Sequence, residues 1–309
     1  MTKPASPERR YTPAPASDFV LPFELPEIGL RGRLARLGSV ATRALATHPL
    51  PEPAQRMLGE AMTLTALLGS SLRQTGRMSV QTKSEGPLNL MTADYIAGGG
   101  LRGYARLDQK SFAALNGENS FARLAGNGVL AITIEPKSEP EAPKTYQGIV
   151  PLARQGLAAS AEHYFDQSEQ LPTMLKLAAA PLYRAGLHGW CSGGLMVQAT
   201  PDVSDVRESD DWQRIALFLE TLEDYELLDS VVPAEEVLWR LFHEDEVVVH
   251  NAQALRFHCG CGRDKVSSVL VAYSAADLAD LAEADGVVRA KCEFCGATYE
   301  FPLKEFEKS

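Results

Sequence analysis

His258-Cys259-Gly260-Cys261-Gly262 and, thirty residues further on, Lys291-Cys292-Glu293-Phe294-Cys295-Gly296 are the two stretches that decide how this chain is built. Cys292 and Cys295 are separated by two residues, a gap that lets both thiolates reach one metal, with Gly296 available for the turn. Cys259 and Cys261 are separated by one residue, a tighter pair than most zinc ribbons use. Four sulfurs arranged as a tetrahedron suit zinc, at a Zn–S distance of ~2.3 Å. The spacing therefore predicts a single zinc ion held by Cys259, Cys261, Cys292 and Cys295. His258 is adjacent, but four thiolates already fill a tetrahedral shell, so it is read as a bystander.

Around these cysteines lies a unit of about sixty residues, 251–309, a size at which a hydrophobic core is thin and a metal is a common staple. Zinc keeps cysteines as thiolates, the form that peroxide and hypochlorous acid attack. Each pair is close enough in sequence to form a disulfide once oxidised. Structural zinc contributes ~10–16 kcal/mol of apparent binding energy in small finger peptides. A unit this small is not expected to stay folded without it, so the site reads as a thiol switch whose output is unfolding.

Upstream, 201–250 is strongly acidic. Between Asp202 and Glu246 stand fifteen acidic residues and three basic ones (Arg207, Arg214, Arg240), a net −12 in a chain of net −10. Trp212, Ile215, Ala216, Leu219, Leu222 and Tyr225 fall on one helical face, and Val237, Leu238, Leu241 and Phe242 form the apolar face of a second helix opened by Pro233. Short helices with such acidic outer faces are marginal alone and need a surface to dock on. Their charge repels itself when compact.

The larger part, 18–200, mixes helix and strand. Helix is expected over residues 30–75 in two pieces, Arg31–Thr47 and a second piece through Met57, Ala61, Leu64, Leu68 and Leu72. From Met78 the period changes to strands and turns: Ser79–Lys83, Pro87–Thr92, Leu101–Leu107 after Gly98-Gly99-Gly100, Val129–Ile134 and Tyr146–Val150. The last two are joined through a loop containing Pro136, Pro140 and Pro143. Helix returns near Leu152–Gln167, and Thr173–Ala179 and Leu195–Thr200 read as closing strands. Clustered strands with separate helices give an α+β fold: a mixed N-terminal domain with a large sheet and packed helices, a helical linker and a small C-terminal zinc-binding domain. Residues 1–17, with four prolines and no apolar core, are expected to be disordered.

Composition narrows function. No apolar run approaches the ~20 residues of a membrane helix, and the N-terminus is not a secretory signal, so no membrane association and a cytoplasmic location are expected. Reduced cysteines clustered there are more often metal ligands than a static disulfide framework. No Walker loop, dinucleotide fingerprint or Ser/His/Asp set stands out, so no catalytic residues and no organic cofactor are assigned. Cys191 has no sequence neighbour to pair with and reads as a semi-buried structural thiol. A nucleic-acid-binding zinc ribbon is the main alternative, but acidic residues outnumber basic ones from Asn251 to Ser309. A thiol–disulfide oxidoreductase built on Cys292–Cys295 lacks a thioredoxin-like context.

Beyond the cysteines, Gly126-Asn127-Gly128, Tyr146-Gln147-Gly148-Ile149-Val150, Tyr164-Phe165-Asp166-Gln167-Ser168-Glu169-Gln170-Leu171-Pro172-Thr173, Glu85-Gly86-Pro87-Leu88-Asn89-Leu90 and Arg102-Gly103-Tyr104-Ala105 stand in order. With Gly296-Ala297-Thr298-Tyr299-Glu300-Phe301 they make the chain resemble the heat shock protein 33 family, bacterial redox-regulated holdase chaperones, over about Phe19 to Phe306. The resemblance implies that the four cysteines bind zinc when reduced. It implies Cys259–Cys261 and Cys292–Cys295 disulfides when oxidised, a metastable linker, binding of unfolding client proteins without ATP, and a homodimer on activation. The Pro-rich tail and Cys191 stand outside the pattern.

Overall fold

The computed structural model describes residues 17–72, 76–136, 145–184, 187–201 and 206–306. The tail expected at 1–17 lies, except for Ser17, outside the described residues, as do 137–144 of the proline-containing loop and 202–205 of the acidic stretch. The chain forms two compact units that divide between Phe257 and His258.

In the first unit the elements run β1 (Phe19–Leu25), β2 (Leu30–Leu37), α1 (Ser39–Leu45), α2 (Glu52–Gly69), β3 (Arg77–Ser84), β4 (Leu88–Ile96), β5 (Gly100–Leu107), α3 (Gln109–Ala113), α4 (Phe121–Ala125), β6 (Gly128–Glu135) and β7 (Tyr146–Pro151). There follow α5 (Leu157–Tyr164), β8 (Thr173–Arg184), β9 (Leu187–Ala199), α6 (Asp210–Thr221), α7 (Asp224–Leu228), α8 (Ala234–Phe242), β10 (Val248–Val249), β11 (Gln253–Ala254) and β12 (Arg256–Phe257). The second unit holds α9 (Arg263–Leu270), α10 (Ala275–Leu281), β13 (Val287–Lys291) and β14 (Thr298–Pro302).

Two six-stranded sheets form the first unit. One has the order β10-β1-β2-β9-β8, with β11 also on β1, and the other β12-β5-β4-β3-β6-β7. Helix α2 is buried along most of its length, Ala54 to Gly69, in a core shared with residues of both sheets such as Ala35, Met196, Val80 and Ala93. That burial fits its Ala/Leu/Met-rich sequence, which forms helix readily and offers apolar side chains all round. The strands expected at 79–83, 87–92, 101–107, 129–134 and 146–150 are present. Those expected at 173–179 and 195–200 are halves of a longer antiparallel hairpin that includes Cys191 opposite Ala180.

One expectation is corrected. Residues 30–37 form strand β2, paired to both β1 and β9, and only Ser39–Leu45 of the predicted Arg31–Thr47 helix is helical. Leu34, Leu37 and Ala41 fit a helical stripe, but Leu30 and Leu34 face one side of the sheet while Ala35 and Leu37 face the other. That is a strand's period of two, and pairing on both edges fixes it.

The first sheet is apolar on both faces. Val20, Ala35, Leu37 and Met196 face α2. Phe19, Leu21, Phe23, Leu25, Leu30, Leu34, Leu195 and Val197 face the other way, and the acidic helices cover them with Ile215, Leu219, Leu222, Leu227, Val237, Leu238, Leu241 and Phe242. Gly32 has no side chain to hold the Phe23 ring off the sheet, and Phe23 stacks on Phe242 of α8 with ring centres 5.5 Å apart. Tyr225, expected on the same apolar face as Ile215, begins a separate short helix and is exposed.

Candidate metal centre

In the second unit a β-hairpin, β13–β14, carries Cys292 and Cys295 in its turn. Gly296 adopts φ 70°, a left-handed conformation that glycine reaches without strain, and its N–H donates to the Cys292 carbonyl at 2.8 Å. The Cys292 N–H donates to the Ala297 carbonyl at 2.8 Å, closing the turn. Cys259 and Cys261 lie on the segment just before α9. Lys265 on that helix donates from Nζ to the Gly260 carbonyl at 2.5 Å, fixing the short pair.

The four Sγ atoms all lie within 4.8 Å of one another. Cys259 Sγ is 3.6 Å from Cys292 Sγ, and Cys261 Sγ is 3.3 Å from Cys295 Sγ. Sulfurs at the corners of a tetrahedron with ~2.3 Å metal bonds stand ~3.8 Å apart, so the set fits one ion. None of the four cysteines is in a disulfide, and all four are partly buried. His258 is not a member of this cluster.

The charges support the same fit. Burial pushes the Cys259 thiol up. At Cys295 burial and the neighbouring sulfurs push the thiol up to about 12. At Cys261 burial also acts upward, but the Tyr299 hydroxyl and the other sulfurs outweigh it and bring the thiol down to about 7. Four sulfurs this close cannot all ionise by themselves, because each thiolate disfavours the next. A divalent cation removes that conflict. The four predicted ligands are thus brought together, and the site can hold a metal ion.

Tyr299 is the participant that cysteine spacing does not reveal. Its hydroxyl donates to Cys261 Sγ at 3.1 Å from the strand after the cysteine turn. Hydrogen bonds of this kind orient and tune a metal's sulfur ligands.

The hydrophobic support of the unit is small: Leu270, Leu278, Val288 and Phe301 are its buried apolar side chains among the described residues. Arg263 lies over the Phe301 ring, 4.3 Å from its centre, and donates to both oxygens of Glu305 at 2.9 Å. Cys191 is distant in sequence from the cluster and partly buried on β9, with its Sγ donating weakly to the Ala180 carbonyl at 3.5 Å. Burial pushes its thiol up.

A second constellation, in the first unit, joins the acidic helices to the sheet. Arg36 on β2 is 3% exposed, and its guanidinium donates to three backbone carbonyls of the acidic segment. Nε reaches Leu227 O at 3.0 Å, Nη1 reaches Val232 O at 2.5 Å and Nη2 reaches Glu226 O at 2.7 Å. Gly193 on β9 lets that backbone approach, since a Cβ there would stand 2.6 Å from Leu227 O. Within the segment, Arg214 binds Asp245 and Asp211, and Arg240 pairs with the buried Glu226. Then β10 and β11 pair with β1, and β12 runs parallel to β5, ending one residue before His258.

The family model described as Hsp33 protein matches residues 18–302. A 33 kDa chaperonin of Caulobacter vibrioides is 36% identical over 289 residues, covering 92% of this chain and 94% of the relative. One from Cronobacter sakazakii is 34% identical over 272 residues, covering 88% of each. One from Escherichia coli is 32% identical over 287 residues, covering 93% of each. Among solved structures, a 33 kDa chaperonin (heat shock protein 33 homolog) from Thermotoga maritima superposes with a TM-score of 0.77 at 22% identity, over 94% of this chain and 97% of that one, and so shares the fold. No helix among the described residues is long and apolar enough to cross a membrane. From its sequence relatives and from the family model spanning nearly its whole length, the chain belongs to the Hsp33 family of chaperones.

Proposed function

We propose that this chain is a redox-regulated, ATP-independent holdase that binds unfolding proteins under oxidative stress, acts without catalysing a reaction, and works in the cytoplasm. The observation that carries the reading is the cluster of four sulfurs, within 4.8 Å of one another, in a unit with few buried apolar side chains. Zinc, when bound, would be held by the four thiolates, offset half of their negative charge and tie the Cys259–Cys261 segment to the hairpin turn. The sulfurs are the oxidant-sensitive element. Cys259 pairs with Cys261, and Cys292 with Cys295, a pairing taken from the family resemblance. Each pair of thiolates loses two electrons as its S–S bond forms. Hydrogen peroxide accepts them as its O–O bond breaks and takes two protons from solvent, giving two waters per peroxide consumed. Four thiolate ligands are then gone, and the unit loses the bonds that hold it together.

The acidic segment 206–250 is the output element in this reading. Apolar burial and the Arg36 contacts hold it to the sheet, while its like charges oppose compaction. Short strands β10, β11 and β12 connect it to the switch. Once the switch unfolds, this strap peels and the acidic helices lose their anchor. The sheet face of Phe19, Leu21, Phe23, Leu195 and Val197 is then bare and takes up exposed apolar segments of client proteins. Activated chains pair as homodimers.

The test is aggregation of a heat-sensitive client followed by light scattering. The peroxide-treated chain is expected to suppress scattering and the reduced zinc form is not. Equal protection by the two forms refutes the switch.

A further inference from the structure

Strand β2 carries two arginines, Arg31 and Arg33, on the face opposite the acidic helices. Both line a cavity of about 320 Å³ that also takes in residues of β3, β6 and β9 and the segment after α5. Its walls are mixed: Met78, Ile132, Ile134, Phe165 and Met196 give an apolar side, and Ser71, Tyr164 and Gln198 bring polar groups beside the arginines. Nε of Arg31 and Nε of Arg33 are both out of water, and neither has an acceptor among the described residues. Among the described residues no carboxylate forms an ion pair with either side chain. Glu169 is, among the described residues, the carboxylate lining the cavity; it is exposed and already accepts from the Tyr164 hydroxyl at 2.8 Å.

This arrangement is costly unless something answers it. Residues two apart on a strand point the same way, ~6.6 Å apart along the chain, so the two cations repel each other. Burial first, and the Arg31 charge second, pull the Arg33 guanidinium down to about 10. Arginine forks match oxyanions: a carboxylate offers two oxygens with about four lone-pair sites, enough to satisfy both buried Nε–H groups. A cavity that sets convergent polar groups beside apolar side chains can hold a small molecule with a polar head and an apolar tail.

We propose that this cavity binds a small carboxylate with a short apolar tail, its carboxylate bridging Arg31 and Arg33 and its tail lying against Met78, Ile132, Ile134 and Met196. The carboxylate would sit against the two arginines rather than against Glu169, whose charge would repel it. The site is independent of the cysteines and of the holdase reading.

The experiment is isothermal titration calorimetry of the full reduced, zinc-loaded chain with hexanoate, hexanamide and inorganic phosphate as probes. Hexanoate is expected to bind one per chain. Hexanamide, equal in shape but uncharged, is expected to bind about 10- to 100-fold more weakly, the loss expected for charge-assisted hydrogen bonds. Phosphate, which leaves the apolar walls uncovered, is expected to bind more weakly than hexanoate. R33M and R31M should each weaken hexanoate by about tenfold or more, and R33K by less, since lysine lacks the fork. Removing an unpartnered buried charge is expected to leave the melting temperature unchanged or raised. If one variant fails to fold, the other variant and the three probes on the unmodified chain still decide. Absence of saturable hexanoate binding, equal affinity for hexanoate and hexanamide, phosphate binding as tightly as hexanoate, or unchanged hexanoate affinity in the folded variants would each overturn the proposal.

Discussion

Replacing Arg36 with methionine tests whether the acidic helices are the output of the switch. Methionine keeps most of the aliphatic stem, so sheet packing is preserved while the guanidinium is lost. The three acceptors it serves, the carbonyls of Glu226, Leu227 and Val232, would lie against the sheet without a donor. Each charge-assisted bond contributes ~1.5–3 kcal/mol net. Burial of the guanidinium, which pulls its own proton affinity down, offsets part of that sum. A net loss of ~3 kcal/mol in docking corresponds to a shift of ~150-fold toward the undocked state. R36M is therefore expected to protect a heat-sensitive client in the reduced, zinc-loaded form, with zinc content unchanged because the cysteines are untouched. Hydrogen exchange over 224–242 should accelerate by a similar factor. R36K, which retains charge but not the three-way fork, should fall between. If reduced R36M remains inactive and its amides over 224–242 exchange at the unmodified rate, the docking argument is refuted.

Three other predictions follow from the site and the core. Removing metal from the reduced chain with a strong chelator should abolish ordered structure over 258–306, because the apolar support of that unit cannot replace ~10–16 kcal/mol of metal binding; near-ultraviolet circular dichroism and thiol titration report it. Y299F, which deletes the hydroxyl 3.1 Å from Cys261 Sγ, should lower zinc affinity by ~10-fold in competition with a chromophoric chelator, without changing the 1:1 stoichiometry. Burial, with Asp224 adding to it, raises the Glu60 carboxyl from 4.5 to about 7 against the pull of Arg56. The fold therefore binds that proton more tightly than the unfolded chain, and stability present below about pH 4.5 is lost as pH rises toward 7. E60Q should thus match the unmodified chain at pH 4 and exceed it by up to ~3 kcal/mol at pH 8 in urea denaturation.

The sequence by itself identified the four cysteines of the candidate metal centre and most of the strand positions. Cysteine spacing is a local covalent fact, and a two-residue gap followed by Gly296 already limits which sulfurs can share an ion. Strands such as Val129–Ile134 announced themselves because alternation and flanking turns are written in adjacent residues. Tertiary structure decided what depends on residues far apart in the chain. Leu30–Leu37 carries a pattern compatible with helix, and became strand because β1 and β9 pair with both of its edges. Arg36 reads as an ordinary polar residue, yet its partners lie 190 or more positions away, and a carbonyl's need for a donor appears only once the fold has removed water from it. Arg31 and Arg33 look solvated in sequence and acquire meaning from a cavity closed by both sheets. The acidic helices announced that they needed a surface to dock on. Which surface, and that its strands are apolar on both faces, was settled by the packing of the sheet between those helices and α2.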